Sequence, residues 1–168
     1  MIILLIGLNH CHQLAGYAKA SNKFKPYLND LCLKEHPDLL AEELNEDAIK
    51  KWTTEDSVAR KIARRLNVRH LFCDPDVEER RALGIKSFNE IARDLGYEPG
   101  LTREQIATVE MIEKEHWGKR EKFWLAKLTE KQFDKSIFLL GANHVDRFNT
   151  LLIANSYQSS IVERDWQP

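Results

Sequence analysis

The sequence predicts an α/β fold: a central, largely parallel sheet with helices on both faces. Three observations predict it. Short aliphatic runs alternate along the chain with stretches of helical periodicity. The first run, Ile2 to Leu8, is continuously apolar, the pattern of a strand buried on both faces. No linker or low-complexity segment breaks the alternation, so residues 1–168 read as a single α/β domain. The chain is too short for a complete eight-fold barrel, which takes about 250 residues.

The elements follow in order. After the first strand, the stretch through Ala20 is mixed and reads as loop. Pro26 to Lys34 reads as a short helix. Asp38 to Leu44 follows the Pro37 break as a second strand, with an unusual Glu pair. Thr54 to Leu66 is a helix, with Thr54 as its cap and Val58, Ile62 and Leu66 recurring every four residues. Arg69 to Cys73 is a third strand, stopped at Asp74-Pro75. Asp76 to Leu95 holds one or two helices. Thr102 to Glu130 is a long helical pattern with a possible bend point at Gly118. Ser136 to Leu140 is a fourth strand, His144 to Asn155 a helix, and Gln158 to Glu163 a last strand.

Composition narrows the function classes. The 168 residues include 43% hydrophobic and 30% charged side chains, as in globular proteins. A chain of this length buries roughly 70% of its unfolded surface without disulfide or metal staples. The 25 Lys and Arg nearly balance the 26 Asp and Glu, for a net charge of −1. That balance argues against a dedicated nucleic-acid binder, so no nucleic-acid partner is expected. Three irregularly spaced cysteines, Cys11, Cys32 and Cys73, read as reduced thiols and suggest a cytoplasmic setting. The opening apolar run lacks a basic flank and a cleavage site, and is read as a strand rather than a signal peptide. No apolar stretch approaches the roughly 20 residues of a membrane helix.

The chemical signal is a sequence echo. Leu4-Leu5-Ile6-Gly7-Leu8-Asn9-His10 stands near the start, and Phe138-Leu139-Leu140-Gly141-Ala142-Asn143-His144 near the end. Each is an apolar strand followed by Gly-x-Asn-His. The glycine is expected to let the backbone turn at the strand end. The histidine then lies beyond the carboxyl edge of the sheet, where open α/β sheets bind ligands. The second strand ends in Glu42-Glu43 and the third in Asp74, so four strands finish on His, Glu, Asp and His. Two neutral imidazoles and a carboxylate form a ligand set suited to divalent zinc, manganese or cobalt, with a position open for water. An ion so held lowers the pKa of its water to about 7.

Plainer readings stand beside this one. A lone histidine after a strand caps or packs, and it is the repeated context that sets His10 and His144 apart. Glu43 competes with Glu42, because neighbouring strand residues face opposite ways. Asp74 before Pro75 is also a turn residue. His12 pairs with His10 as His-x-His only if the strand continues, and Cys11 is a further thiolate candidate. His36, His70 and His116 read as structural or exposed. Arg120 is either part of a solvated helix face or a reaching guanidinium that binds a carboxylate or a developing oxyanion. Arg60, Lys61, Arg64 and Arg65 form a basic stripe that reads as a solvated helix face.

These residues resemble the TraB/Tiki family, within the wider erythromycin esterase/ChaN-like superfamily. The paired Gly-x-x-His motifs at Gly7–His10 and Gly141–His144 carry most of the resemblance. Pro37 to Leu44 is similar to the family segment with an essential Glu before Leu, which falls on Glu43. Arg120 to Leu128 is similar to its Arg-containing helix. The likeness runs from Met1 to about Ile153, loosely between Asp74 and Gly118. It implies an α/β fold of two related halves and a metal-dependent hydrolase, as Tiki members are metalloproteases. On that basis His10, Glu43 and His144 hold a divalent ion (Mn, Co or Zn) and Arg120 assists. The expected function is hydrolysis of a peptide or amide bond in a peptide or small-molecule substrate, with Asp74 as candidate general base. A metal-independent esterase or lactonase using a histidine base is the alternative. A third reading is a non-catalytic haem- or small-ligand-binding protein.

Overall fold

Five parallel strands form one sheet in the order β3-β2-β4-β1-β5, with β1 at Ile2–Leu8, β2 at Leu39–Glu42, β3 at Arg69–Phe72, β4 at Lys135–Gly141 and β5 at Gln158–Trp166. The structure is a computed structural model that describes all residues except 17, 18, 53 and 55. The predicted α/β class is therefore observed, with every strand pairing parallel.

Both faces of the sheet are covered, as alternation along the strands requires. One face sends Leu4, Ile6, Leu40, Ile137 and Leu139 against Phe24, Leu28 and Cys32 of helix α2 (Lys19–Glu35) and Val58 and Ile62 of helix α4 (Val58–Leu66). The opposite face sends Ile3, Leu5, Ala41, Phe138 and Leu140 against Trp124 and Leu128 of helix α7 (Arg103–Thr129) and Phe148 and Leu152 of helix α8 (Val145–Ala154). No helix among the described residues is long and apolar enough to cross a membrane.

Several boundaries differ from the sequence expectation, each for a local reason. Helix α2 starts at Lys19 and carries Pro26 inside it. An interior proline costs about 3 kcal/mol. Phe24, Leu28 and Cys32, four residues apart and all buried, offset that cost by covering the sheet. The stretch read as loop after β1 contains a short helix, α1 (His10–Gln13), where the Asn9 side chain accepts from the Cys11 amide. Helix α3 (Glu46–Lys51) had no periodic signature; Asn45 caps it by accepting from the Ala48 amide. Helix α4 is capped by Ser57 rather than Thr54, and residues 53 and 55 beside Thr54 lie outside those described. The Asp76 to Leu95 region divides into helices α5 (Val77–Ala82) and α6 (Phe88–Asp94), each opened by a capping box. Helix α7 is continuous through Gly118, and β5 extends three residues past Glu163.

The echo does not survive as a register. The motifs repeat at an offset of 134 positions, yet β1 and β4 pair Gly7 with Leu140 and Leu8 with Gly141. The two glycines therefore face opposite sides of the sheet. Neither has a positive φ. The expectation that glycine serves a sharp turn is thus corrected: both serve close approach. A Cβ on Gly7 would overlap the Arg164 carbonyl and crowd Val145. On Gly141 it would lie 3.1 Å from His10 Nε2 and 3.3 Å from Glu43 Oε2.

Candidate active site

The carboxyl ends of four strands bring the named residues together. His10 opens α1 directly after β1 and Asn9. Glu43 follows β2 and continues its ladder, its amide donating to the Leu139 carbonyl at 2.8 Å. Asp74 follows β3, and His144 ends the 3₁₀ turn Ala142–His144 after β4. Helix α7 crosses this edge. Its Trp117, Arg120, Glu121 and Trp124 stand at i, i+3, i+4 and i+7, one face of a helix.

Glu43 is the hub. Its Oε1 lies 3.6 Å from His10 Nε2, 3.8 Å from His144 Nε2 and 2.6 Å from the Arg120 guanidinium. Its Oε2 accepts from the Gly141 amide at 2.7 Å. The two histidines differ in access: the His10 side chain is 48% exposed and that of His144 only 5%. His10 thus faces solvent, while His144 forms the back wall.

Each imidazole is held on its other nitrogen. His144 Nδ1 lies 2.9 Å from Glu121 Oε1, and its ring packs against Trp117 and Trp124 at 4.8 and 5.0 Å between centroids. A carboxylate only accepts, so a neutral His144 carries its proton on Nδ1 and turns a free Nε2 lone pair toward Glu43. His10 Nδ1 lies 3.3 Å from Gln13 Nε2. Gln13 is fully buried and its Oε1 has no partner. Turning the amide over brings that oxygen to His10 Nδ1 as an acceptor and frees Nε2 in the same way.

Asp74 and Arg120 form the second half of the site. Arg120 donates to Asp74 Oδ1 through Nε (3.0 Å) and a terminal nitrogen (2.7 Å), Trp124 Nε1 donates to the same oxygen at 3.1 Å, and Arg80 pairs with Oδ2. Burial pushes the Asp74 carboxyl up, but Arg120 and Arg80 outweigh it and hold the group below the ordinary carboxylate range. Burial likewise opposes charge on Arg120, and the Glu43 and Asp74 carboxylates raise its pKa above the usual value. Asp74 is therefore in the site, but so engaged that it is a weak base. It anchors Arg120.

Glu42 turns away, as strand alternation requires. Its Oε1 takes the Ser57 hydroxyl and lies 2.7 Å from His70 Nε2. His70 is thus a buried-carboxylate partner rather than an isolated ring. His12 is buried and packs edge-on against Trp166 at 5.5 Å. Cys11 is one of three free cysteines and is partly exposed. Two basic-stripe residues, Arg60 and Arg64, are not simply solvated: both pair with the buried Asp56.

Sequence reasoning missed Glu121, Gln13, Trp117, Trp124 and Arg80. The first, third and fourth were within reach once Arg120 faced the sheet, because helical spacing puts them on its face. Gln13 depended on the unforeseen α1, which places it three residues after His10.

Donor chemistry suits a divalent ion: two imidazole nitrogens freed by partners on their other nitrogen, and a carboxylate oxygen between them. Bonds of 2.0–2.2 Å to a tetrahedral ion separate neighbouring ligands by about 3.4 Å, and Oε1 lies 3.6 and 3.8 Å from the two nitrogens. As the side chains stand, no group of three or more His, Cys, Asp or Glu among the described residues is placed to hold a metal ion.

In comparison with known proteins, no family model, curated protein or solved structure matches the chain.

Proposed function

We propose that the protein is a hydrolase of peptide or amide bonds, working at the His10–Glu43–His144 edge of the sheet. The observation that carries this reading is the flanking of one Glu43 oxygen by two imidazole nitrogens, 3.6 and 3.8 Å away. A divalent ion held by His10, Glu43 and His144 would supply Lewis-acid activation of water and of the scissile carbonyl.

The chain's own residues have distinct tasks. His144, fixed by Glu121, turns its Nε2 lone pair toward Glu43 at the back of the site, where it would hold the ion. His10, on the exposed side, would hold the ion from the face that substrate approaches. Arg120 carries a permanent charge; Asp74 holds it by two hydrogen bonds, and its guanidinium lies over the Trp124 ring. It stabilises the oxyanion as the carbonyl turns tetrahedral, without reorganising at that moment. Asp74 stays ionised and anchors Arg120, in place of the base role expected from sequence.

One observation favours a second reading, a metal-independent esterase or lactonase. Both Glu43 oxygens already have protein donors, Arg120 and the Gly141 amide. Glu43 then orients the imidazoles, and one of them acts as base.

Hydrolysis of a panel of amides and matched esters, before and after chelator treatment, tests both. Amide cleavage that a chelator abolishes and zinc, manganese or cobalt restores is the expected result. Ester cleavage that persists in chelator selects the second reading. No cleavage by metal-loaded protein overturns both.

A further inference from the structure

A cleft of about 590 Å³ opens from the site, within the range of small-molecule pockets. Its floor is His10, Glu43, Asp74 and Arg120. One wall is α3 with Trp52, and the other is α5 with the loop leading to α6. The walls carry large apolar side chains in unusual exposure: Trp52 is 43% and Val77 58% exposed, with Ile85 buried beneath. Apolar groups standing open beside a polar floor suit a ligand with an apolar portion.

The charges on the walls are uneven once their partners are counted. On the acidic side, Glu43 and Asp74 are engaged by Arg120 and Arg80. Glu90 turns back to the Ser87 amide and hydroxyl in its capping box. On the basic side, Lys86 pairs with Asp94. Lys51 and Arg81, in the last turns of α3 and α5, line the cleft from opposite walls with no ion pair among the described residues. Among the described lining residues, Asp47 is the one carboxylate left to stand against them. A cleft with apolar walls and two cations that pair with no described residue is complementary to an anion attached to a hydrophobic group.

We propose that this cleft selects substrates carrying a carboxylate beside a hydrophobic group, with Lys51 and Arg81 reading the carboxylate and Trp52, Val77 and Ile85 the apolar portion. The inference rests on the hydrolase reading and names its substrate class: acylated amino acids and short peptides whose free carboxylate lies on the cleft side of the scissile bond. Arg81 supplies a planar fork for the two oxygens and Lys51 a mobile point charge.

The test separates this proposal from the reaction itself. Binding of 4-phenylbutyrate, 4-phenylbutanamide and 4-phenylbutylamine is measured by calorimetry in chelator, so that no metal can take the carboxylate. The carboxylate is expected to bind about tenfold tighter than the amide, the worth of one charge-assisted contact, and the amine weakest. Lys51→Gln and Arg81→Gln lie on the exposed cleft wall, outside the catalytic residues, and each should erase most of that preference while leaving amide affinity unchanged. Equal binding of carboxylate and amide overturns the proposal, as does failure of all three to bind. A preference that survives in both variants also overturns it, because the floor is then reading the anion. Tighter binding of phenyl phosphate than of phenylbutyrate overturns the carboxylate assignment. If the preference is found and lost in the variants, but N-acetylphenylalanine and other acylated amino acids are never cleaved, the ligand class stands and the hydrolase reading falls.

Discussion

Glu121 holds His144 from behind, Oε1 to Nδ1, at 2.9 Å. Arg147 lies 3.4 Å from the other Glu121 oxygen, and Trp117 and Trp124 flank the imidazole. The carboxylate sets which nitrogen of His144 bears the proton, and so which one faces Glu43. Glu121→Gln keeps the shape and can offer an N–H where an acceptor is needed. Metal affinity or turnover is expected to fall about 10–100-fold, the usual effect of losing a partner behind a ligand. Nitrogen NMR of His144 should show the proton moving from Nδ1 to Nε2. Unchanged tautomer and unchanged turnover would remove Glu121 from the site's workings.

The two echoed glycines should respond oppositely to the same change. Gly7→Ala places a methyl into the Arg164 backbone, which cannot yield without parting β1 from β5. A loss of about 3 kcal/mol, at the upper end of ordinary overpacking, is expected in urea unfolding. Gly141→Ala meets the His10 ring and the Glu43 carboxylate at 3.1 and 3.3 Å, and the partly exposed His10 can give way. Stability should change little while activity falls, because the ring that moves is one of the two flanking Glu43. Equal destabilisation by both would show that the echo is only a folding motif.

The alternation of strands and helices was legible because each element buries a full apolar face. Ile3 and Leu5 point to one core, Leu4 and Ile6 to the other. The strand-end residues were legible for the same reason: a parallel sheet aligns its carboxyl edges, so His10, Glu43, Asp74 and His144 had to meet if the strands were neighbours. Short capped helices such as α1 and α3 were not, since four to six residues carry no periodicity. Nor was the one-residue shift between the echoed strands, because register is decided by packing across the sheet. Nothing in the sequence distinguished Asp74 as anchor from Asp74 as base. Arg80 and Trp124, which decide it, lie 6 and 50 positions away.

Asp74 makes the pH dependence specific. Its carboxyl is held below its ordinary value when folded, so the contribution to stability is present above the unfolded pKa of about 3.9. It is lost as pH falls through the lower folded value. Asp74→Asn leaves Arg120 and Arg80 without that charge, at a cost of about 3 kcal/mol, the low end for breaking a buried pair. The stability gap between wild type and Asp74→Asn should be constant above about pH 5 and close as pH drops below 4. Urea unfolding at a series of pH values measures it. A gap that widens in acid contradicts the assignment.

The final expectation concerns His10 and His144 as a unit. They approach one oxygen of Glu43 from different elements, α1 and the turn after β4. Neither imidazole is more than a modest ligand or base alone; what the fold supplies is both of them held around one carboxylate. His10→Ala and His144→Ala should each remove most of the zinc, manganese or cobalt binding seen by calorimetry on chelator-stripped protein. The double variant should lose little more, because groups acting together are not additive. The single variants should still differ in stability. His144 is buried against two tryptophans and leaves a cavity, whereas His10 is half exposed. His36→Asn is the control: His36 is exposed, with a positive φ that asparagine tolerates, and lies before β2 at the opposite edge of the sheet. It should bind metal as the wild type does. Equal uptake by wild type and both alanine variants would place the ion elsewhere and leave the two histidines to metal-free chemistry.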